Sequence, residues 1–394
     1  MFLFDEVERT ETRPKRERES PFAYLNSSAR APISAARQVF QTWFESYPES
    51  GKADLFARFR SPIDAQHESA FWELYLHELF CGLGFALEAH PDIEGSANHP
   101  DFLVKEGDVP KFYREAVVAG IPSAKDAGAE ARLAEVFDLV NKMQISDWFL
   151  HVEYRGMPNA PPPVKELRKQ LEQWLGGLDT KAIDASLRAE EWDSLPRFEW
   201  RHDGLTLSFV PSPRSPMSKD DSGVRPIGIS MGEPHILHAD DDLRRAIESK
   251  AKKYGALPLS LIVAVNAISE HCDEIDINNA LFGTETVRLT TSADGSHRAM
   301  QGQRLPDGIW FGTKGVRNQT VSAVLVGNYV DKFTCGVTTP LLVHHPNPTH
   351  NLTLASYPLS ESVHEGTTHS MKRKEGRNAK EFLRLPDPWP PVLD

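Results

Sequence analysis

The chain predicts an α/β protein whose mixed central sheet is interrupted by a second α/β lobe, and three observations carry that expectation. Two runs rich in β-forming residues, 99–104 and 112–118, lie a short turn apart. A stretch with helical periodicity, 71–80, precedes them. A helical pattern at 241–254 followed by the apolar run 259–265 reads as helix and buried strand, but arrives only after the long segment 120–238.

Each element follows from its residues. Residues 1–20 are polar and charged and are expected to be disordered. Residues 21–60 read as a helical lead-in, with an amphipathic helix over 33–47. In 71–80, Trp72, Tyr75, Leu76, Leu79 and Phe80 recur at helical spacings, and Gly82 and Gly84 end the helix, while Glu73 falls at the edge of the apolar stripe. Gly107, Asp108 and Pro110 punctuate the space between the next two strands. With a side-chain period of two, Asp101 and Glu115 are expected on one face. These elements make residues 61–119 the first part of a core.

The insertion 120–238 has its own pattern: a helix near 129–142, a strand at 148–154, helices near 164–175 and 180–190, and a strand at 205–210. Pro161 to Pro163 open the second helix and Gly176-Gly177 closes it. Residues 239–345 complete the core, with short strands at 321–326 and 341–344 extending its sheet. Residues 346–394 are polar and Pro-rich and are expected to form an extended tail.

Two carboxylates converging from paired strands can hold a hard divalent cation, with water and substrate phosphate oxygens completing the shell. Asp101 alone would be an ordinary turn residue, and Glu73 alone a solvated helix acid that Glu68 or Glu78 could replace. Glu115 differs, because it lies inside an otherwise apolar strand, where an uncompensated carboxylate is costly.

Helix with Glu, Gly turn, strand, Pro-Asp strand and Glu strand in this order resemble the PD-(D/E)XK nuclease superfamily, the restriction-endonuclease-like fold, over residues 66–119. More narrowly the chain is similar to a group of uncharacterised bacterial proteins with a Glu-Leu-Tyr-Leu-His helix and a Pro-Asp-Phe-Leu strand. The resemblance implies a restriction-endonuclease-like α/β core with a large inserted lobe. It also implies Mg or Mn held by Asp101 and Glu115, assistance from Glu73, and DNA as substrate, with RNA an alternative. The superfamily carries a Lys two residues beyond the strand acid, and Val117 stands there in this chain. Some relatives supply the Lys from the following helix, which here points to Lys250, with Lys253 second. Lys250 precedes Tyr254 by one turn, similar to a Gln-x-x-x-Tyr element of some relatives.

The net charge of −12 argues against a generic nucleic-acid coat protein, so a nuclease would need local basic groups. Arg58, Arg60 and Arg114 are the candidates near the expected site, with Arg13 to Arg18 and Lys372 to Lys374 in the tails. Cys81, Cys272 and Cys335 have no paired spacing and suggest neither zinc nor a disulfide framework. No apolar stretch is long enough to span a membrane, and a cytoplasmic protein is expected, acting alone, as a homodimer or with a defence or repair partner.

Three other patterns compete. A catalytically degenerate nuclease-fold protein would bind nucleic acid or a partner without turnover. Gly228-Ile229-Ser230-Met231-Gly232 matches a serine nucleophile elbow, with His235, His238 and the acids 240–242 as nominal partners. His344, His345 and His350 lie too irregularly among prolines for a metal site, and the acidic loop 273–276 reads as a solvated turn.

Overall fold

A computed structural model describes residues 1–215, 224–232, 239–268, 272–291, 298–352, 357–364 and 371–391. The chain divides into two compact units: Met1–Thr10, Ser20–Ile121 and Leu237–Asp394 form the first, and Glu11–Glu19 with Pro122–Ile236 the second.

The first unit opens with helices α1 (Pro21–Ser27), α2 (Ala31–Ser46), α3 (Glu49–Phe59) and α4 (Asp64–Gly82). Strands β1 (Ala86–Ala89), β2 (Phe102–Glu106) and β3 (Val109–Ala119) follow as an antiparallel meander. After the second unit come α8 (Ala239–Ala251) and β8 (Ser260–Ala267), which lies parallel to β3 with Glu115 opposite Val263. A parallel neighbour requires a crossover, and the connection includes residues 122–236 of the second unit and α8. A further crossover through α9 (Glu274–Phe282) and the ribbon β9 (Glu285–Thr291) and β10 (Arg298–Arg304) leads, past the short strands β11 (Phe311–Gly312) and β12 (Gly315–Val316), to β13 (Val321–Asn328), parallel to β8. Strands β14 (Leu341–His344), β15 (Ser360–His364) and β16 (Met371–Lys374) then complete an eight-stranded mixed sheet in the order β1-β2-β3-β8-β13-β14-β15-β16.

Apolar residues cover both faces of this sheet. One face packs on Trp43, Phe71, Trp72, Tyr75 and Phe80 from α2 and α4, the other on Leu243 and Ile247 of α8, Leu281 of α9, and Trp310. Strand β8 is therefore apolar from Leu261 to Val265, and all of its residues are buried. Gly327 in β13 leaves room for Trp72: a Cβ there would lie 2.6 Å from the indole Cη2. The indole Nε1 in turn donates to the Ala264 carbonyl at 3.0 Å.

The second unit is a four-stranded sheet, β5-β6-β4-β7, built from β4 (Trp148–Arg155), β5 (Phe198–His202), β6 (Leu205–Pro213) and β7 (Ile227–Met231). It packs with α5 (Ala124–Asn141), α6 (Val164–Gly176) and α7 (Thr180–Arg188) around its own core. On α6, Leu167, Leu171 and Leu175 recur every four residues, and all three are buried.

Three expectations are corrected here. Residues 1–20 are not a disordered tail: Leu3 and Phe4 are buried, with Phe4 packed on Phe22 and Phe59. Residues 11–19 join the second unit, where the amides of Glu17 and Arg18 donate to the Asp138 carboxylate at 2.7 and 3.1 Å. A few anchors hold a segment whose average polarity reads as solvated. The C-terminal region is not an extended tail either, because β15 and β16 extend the sheet, and Phe382 and Leu383 of α10 (Lys380–Leu383) and Trp389 are buried. Strands at a sheet edge are held by backbone bonds and can be polar. Finally, the acidic loop 273–276 is the start of α9: Asp273 accepts from the amides of Ile275 and Asp276, and Asp276 accepts from the Asp273 amide, a capping box.

Candidate functional site

Of the expected site residues, Asp101, Glu115 and Lys250 come together where β2, β3 and α8 meet. Pro100 has no amide hydrogen, and the β2–β3 pairing runs from Phe102 opposite Arg114. Asp101 sits one step outside it and uses its side chain: Oδ2 accepts from the Ala116 amide at 2.6 Å. The carboxylate is thereby pinned beside Glu115.

Glu115 is completely buried, and both of its oxygens are engaged from the end of the α8 segment. Lys250 Nζ lies 2.7 Å from Oε2, Lys253 Nζ lies 3.2 Å from Oε1, and the Tyr254 hydroxyl also donates to Oε1. Lys250 reaches the carboxylate from the last turn of α8, and Lys253 and Tyr254 from the turn that follows, where the Lys253 amide donates to the Lys250 carbonyl at 3.1 Å. An uncompensated buried carboxylate would be destabilising by several kcal/mol, roughly, so these three donors account for how Glu115 is accommodated. Burial would lower the Lys250 pKa, but the carboxylates of Asp101 and Glu115 outweigh it and hold the ammonium above its usual value. Lys250 is therefore a proton-holding donor at neutral pH. Burial and the Glu115 carboxylate likewise push the Tyr254 phenol up.

Val117 shares the face of Glu115, packs against the apolar cluster under α8 and pairs with Val265 of β8. The position two residues beyond Glu115 is thus filled by packing, and the ammonium nearest Glu115 is that of Lys250 on α8.

Glu73, on α4, is 4% exposed and held separately. It accepts from the Tyr47 hydroxyl, and Arg58 Nη2 lies 2.8 Å from its other oxygen. Burial and the Glu73 carboxylate push the Tyr47 phenol up. Arg114 is fully buried on β3, with its guanidinium 4.4 Å from the centre of the Phe102 ring and, among the described residues, no hydrogen-bond partner for its three side-chain nitrogens. Burial pulls its pKa down, opposed by the nearby carboxylates of Asp101 and Glu73. A side chain this enclosed is a counter-charge for the acids and presents no surface to a nucleic acid. Arg60 is not at the site: its guanidinium pairs with Asp5 at 2.7 Å, donates to the Leu3 carbonyl at 2.9 Å and lies over the Phe22 and Phe56 rings. Arg58, bonded to Glu73 and Asp54, is committed within the protein as well.

Tyr47 was not among the expected site residues. It caps the end of α2 and meets Glu73 only through helix packing, so no local pattern marks it.

Asp101 and Glu115 offer hard oxygen donors on adjacent strands, and magnesium or manganese commonly takes only one or two protein carboxylates. In donor chemistry the pair fits such an ion. Among the described residues, no group of three or more His, Cys, Asp or Glu is placed around one point to hold a metal.

Ser230 lies inside β7 opposite Val152, on the second unit's sheet, and not at a turn from strand to helix. His235 and His238 lie outside the described residues. Of the histidine cluster, His344 pairs with Glu361 at 3.3 Å, and His345 and His350 contact the carbonyls of Arg317 and Leu257. Comparison of the chain with protein-family models, with curated proteins and with solved structures gives no match.

Proposed function

We propose that the first unit is a PD-(D/E)XK-type nuclease that hydrolyses DNA phosphodiester bonds with Mg or Mn. The reading is supported by the order of elements: helix α4, the antiparallel meander β1-β2-β3, then helix α8 and strand β8 parallel to β3. The observation that carries it is the Lys250 ammonium 2.7 Å from the carboxylate of Glu115, beside Asp101. That contact puts an amine where Val117 cannot supply one.

In this reading Asp101 and Glu115 hold the ion, which when bound polarises phosphate oxygens and activates water. Lys250, which keeps its proton, donates to the attacking water or to charge developing on the phosphate. Glu73, clamped by Arg58 and Tyr47, assists by fixing the position of α4 and the local field. The setting proposed is cytoplasmic, in defence or repair.

The second reading is a binding module with the same fold and no turnover. It is favoured by the engagement of both Glu115 oxygens by Lys250, Lys253 and Tyr254.

The deciding experiment incubates the protein with supercoiled plasmid, linear duplex, single-stranded DNA and RNA, in magnesium and in manganese. Metal-dependent cleavage is expected, reduced about a hundredfold or more in both Asp101→Ala and Lys250→Ala. Loss in Asp101→Ala alone would move the lysine's role elsewhere. Absence of cleavage on every substrate would favour the binding module.

A further inference from the structure

We infer that Lys250 and Lys253 occupy the place of a cation at Glu115, so that the site takes up a divalent ion only together with a phosphodiester anion. This rests on the nuclease reading and adds a coupling between metal and substrate that the reading does not require.

The first ground is geometric. Oε2 of Glu115 is held by Lys250, and Oε1 by Lys253 and Tyr254, so each oxygen already has a donor within hydrogen-bond reach. A metal ion that uses Glu115 competes with these three donors for the same two oxygens. Lys253 is the mobile partner of the two, since its contact is longer, 3.2 against 2.7 Å, and its side chain is more exposed, 32% against 22%.

The second ground is charge. Arg58, Arg114, Lys250 and Lys253 face Asp54, Glu73, Asp101 and Glu115, four positive charges against four negative. Adding a bare divalent cation to a set that is already balanced leaves an excess of positive charge, which is opposed at close range and low dielectric. An arriving phosphodiester changes both terms. Its negative charge offsets the excess, and its oxygens give the released Lys253 ammonium a new partner, which leaves a carboxylate oxygen for the metal. Metal and backbone phosphate thus each favour the other, and by linkage the coupling is the same in both directions.

The test measures Mn2+ binding to the full chain by the loss of the free-ion paramagnetic signal. It is done alone and with a short DNA duplex carrying cleavage-resistant phosphorothioate linkages, after subtraction of binding to the duplex itself. Wild type is expected to bind Mn2+ about tenfold or more tighter with duplex than without. Lys253→Met is expected to bind Mn2+ about tenfold tighter without duplex and to lose most of the enhancement. Because Lys253 is partly exposed, this variant should fold, and Mn2+ should raise its melting temperature more than that of wild type. Equal Mn2+ affinity with and without duplex in wild type, abolished by Asp101→Asn, would overturn the coupling and leave the metal site standing. No Mn2+ binding by any form, Lys253→Met with duplex included, would overturn both.

Discussion

His77 shows how burial at single residues sets the behaviour of the site's surroundings. It is 2% exposed on α4, its ring lies 5.0 Å from that of Tyr47, and burial, with the charge of Arg114 adding to it, pushes its pKa down to about 4. An unfolded chain protonates this histidine near its ordinary value of about 6.5. Between those values the unfolded state binds more protons, so the stability contributed by neutral His77 is complete above about pH 6.5 and is lost as the pH falls toward 4. The loss is roughly 2 to 3 kcal/mol at most. Urea unfolding at pH 7 and pH 5 should show a smaller drop for His77→Phe than for wild type, and equal drops would refute the assignment. At the same scale, Asp101 and Glu115 could be placed side by side from strand period and a short turn alone, whereas the clamp on Glu73 could not. Tyr47 and Arg58 reach Glu73 through the packing of three helices, and nothing in their neighbourhoods encodes that meeting.

At the scale of elements, local chemistry was legible where it is self-contained. The α6 stripe, the Pro and Gly punctuation around it and the apolar run of β8 each specify their element from a few neighbouring residues. The α9 start was missed because Asp273 and Asp276 read equally well as a solvated turn, and only the reciprocal side-chain to amide bonds turn them into a cap. Close approach between elements is not written locally either. Replacing Gly327 by Ala would drive a methyl into the Trp72 ring, and a loss of about 1 to 3 kcal/mol is expected from such overpacking. Chemical denaturation would measure it; an unchanged midpoint would mean that Trp72 can retreat despite its bond to the Ala264 carbonyl.

For the whole molecule, the two units each bury their own apolar cluster, and each is expected to unfold as a cooperative body. Calorimetry should resolve two transitions. Leu171→Ala removes a fully buried side chain of the second unit and should lower only one of them, at a cost of about 2 to 5 kcal/mol. A shift of both transitions together would show that the units melt as one. By itself the amino-acid order determined the α/β class, an interruption of the core between β3 and α8, and the proximity of Asp101 and Glu115, because side-chain periodicity and turn residues act over a few positions. Only the tertiary structure decided that Lys250, Lys253 and Tyr254 all close on Glu115, that Arg114 is an enclosed counter-charge, and that Leu3, Phe4, Phe382, Leu383 and Trp389 are packed. Those outcomes depend on burial and on charges brought together from distant positions. Glu115 and Lys250 lie 135 positions apart and are joined by a crossover, whose closure depends on the packed sheet and helices of the first unit.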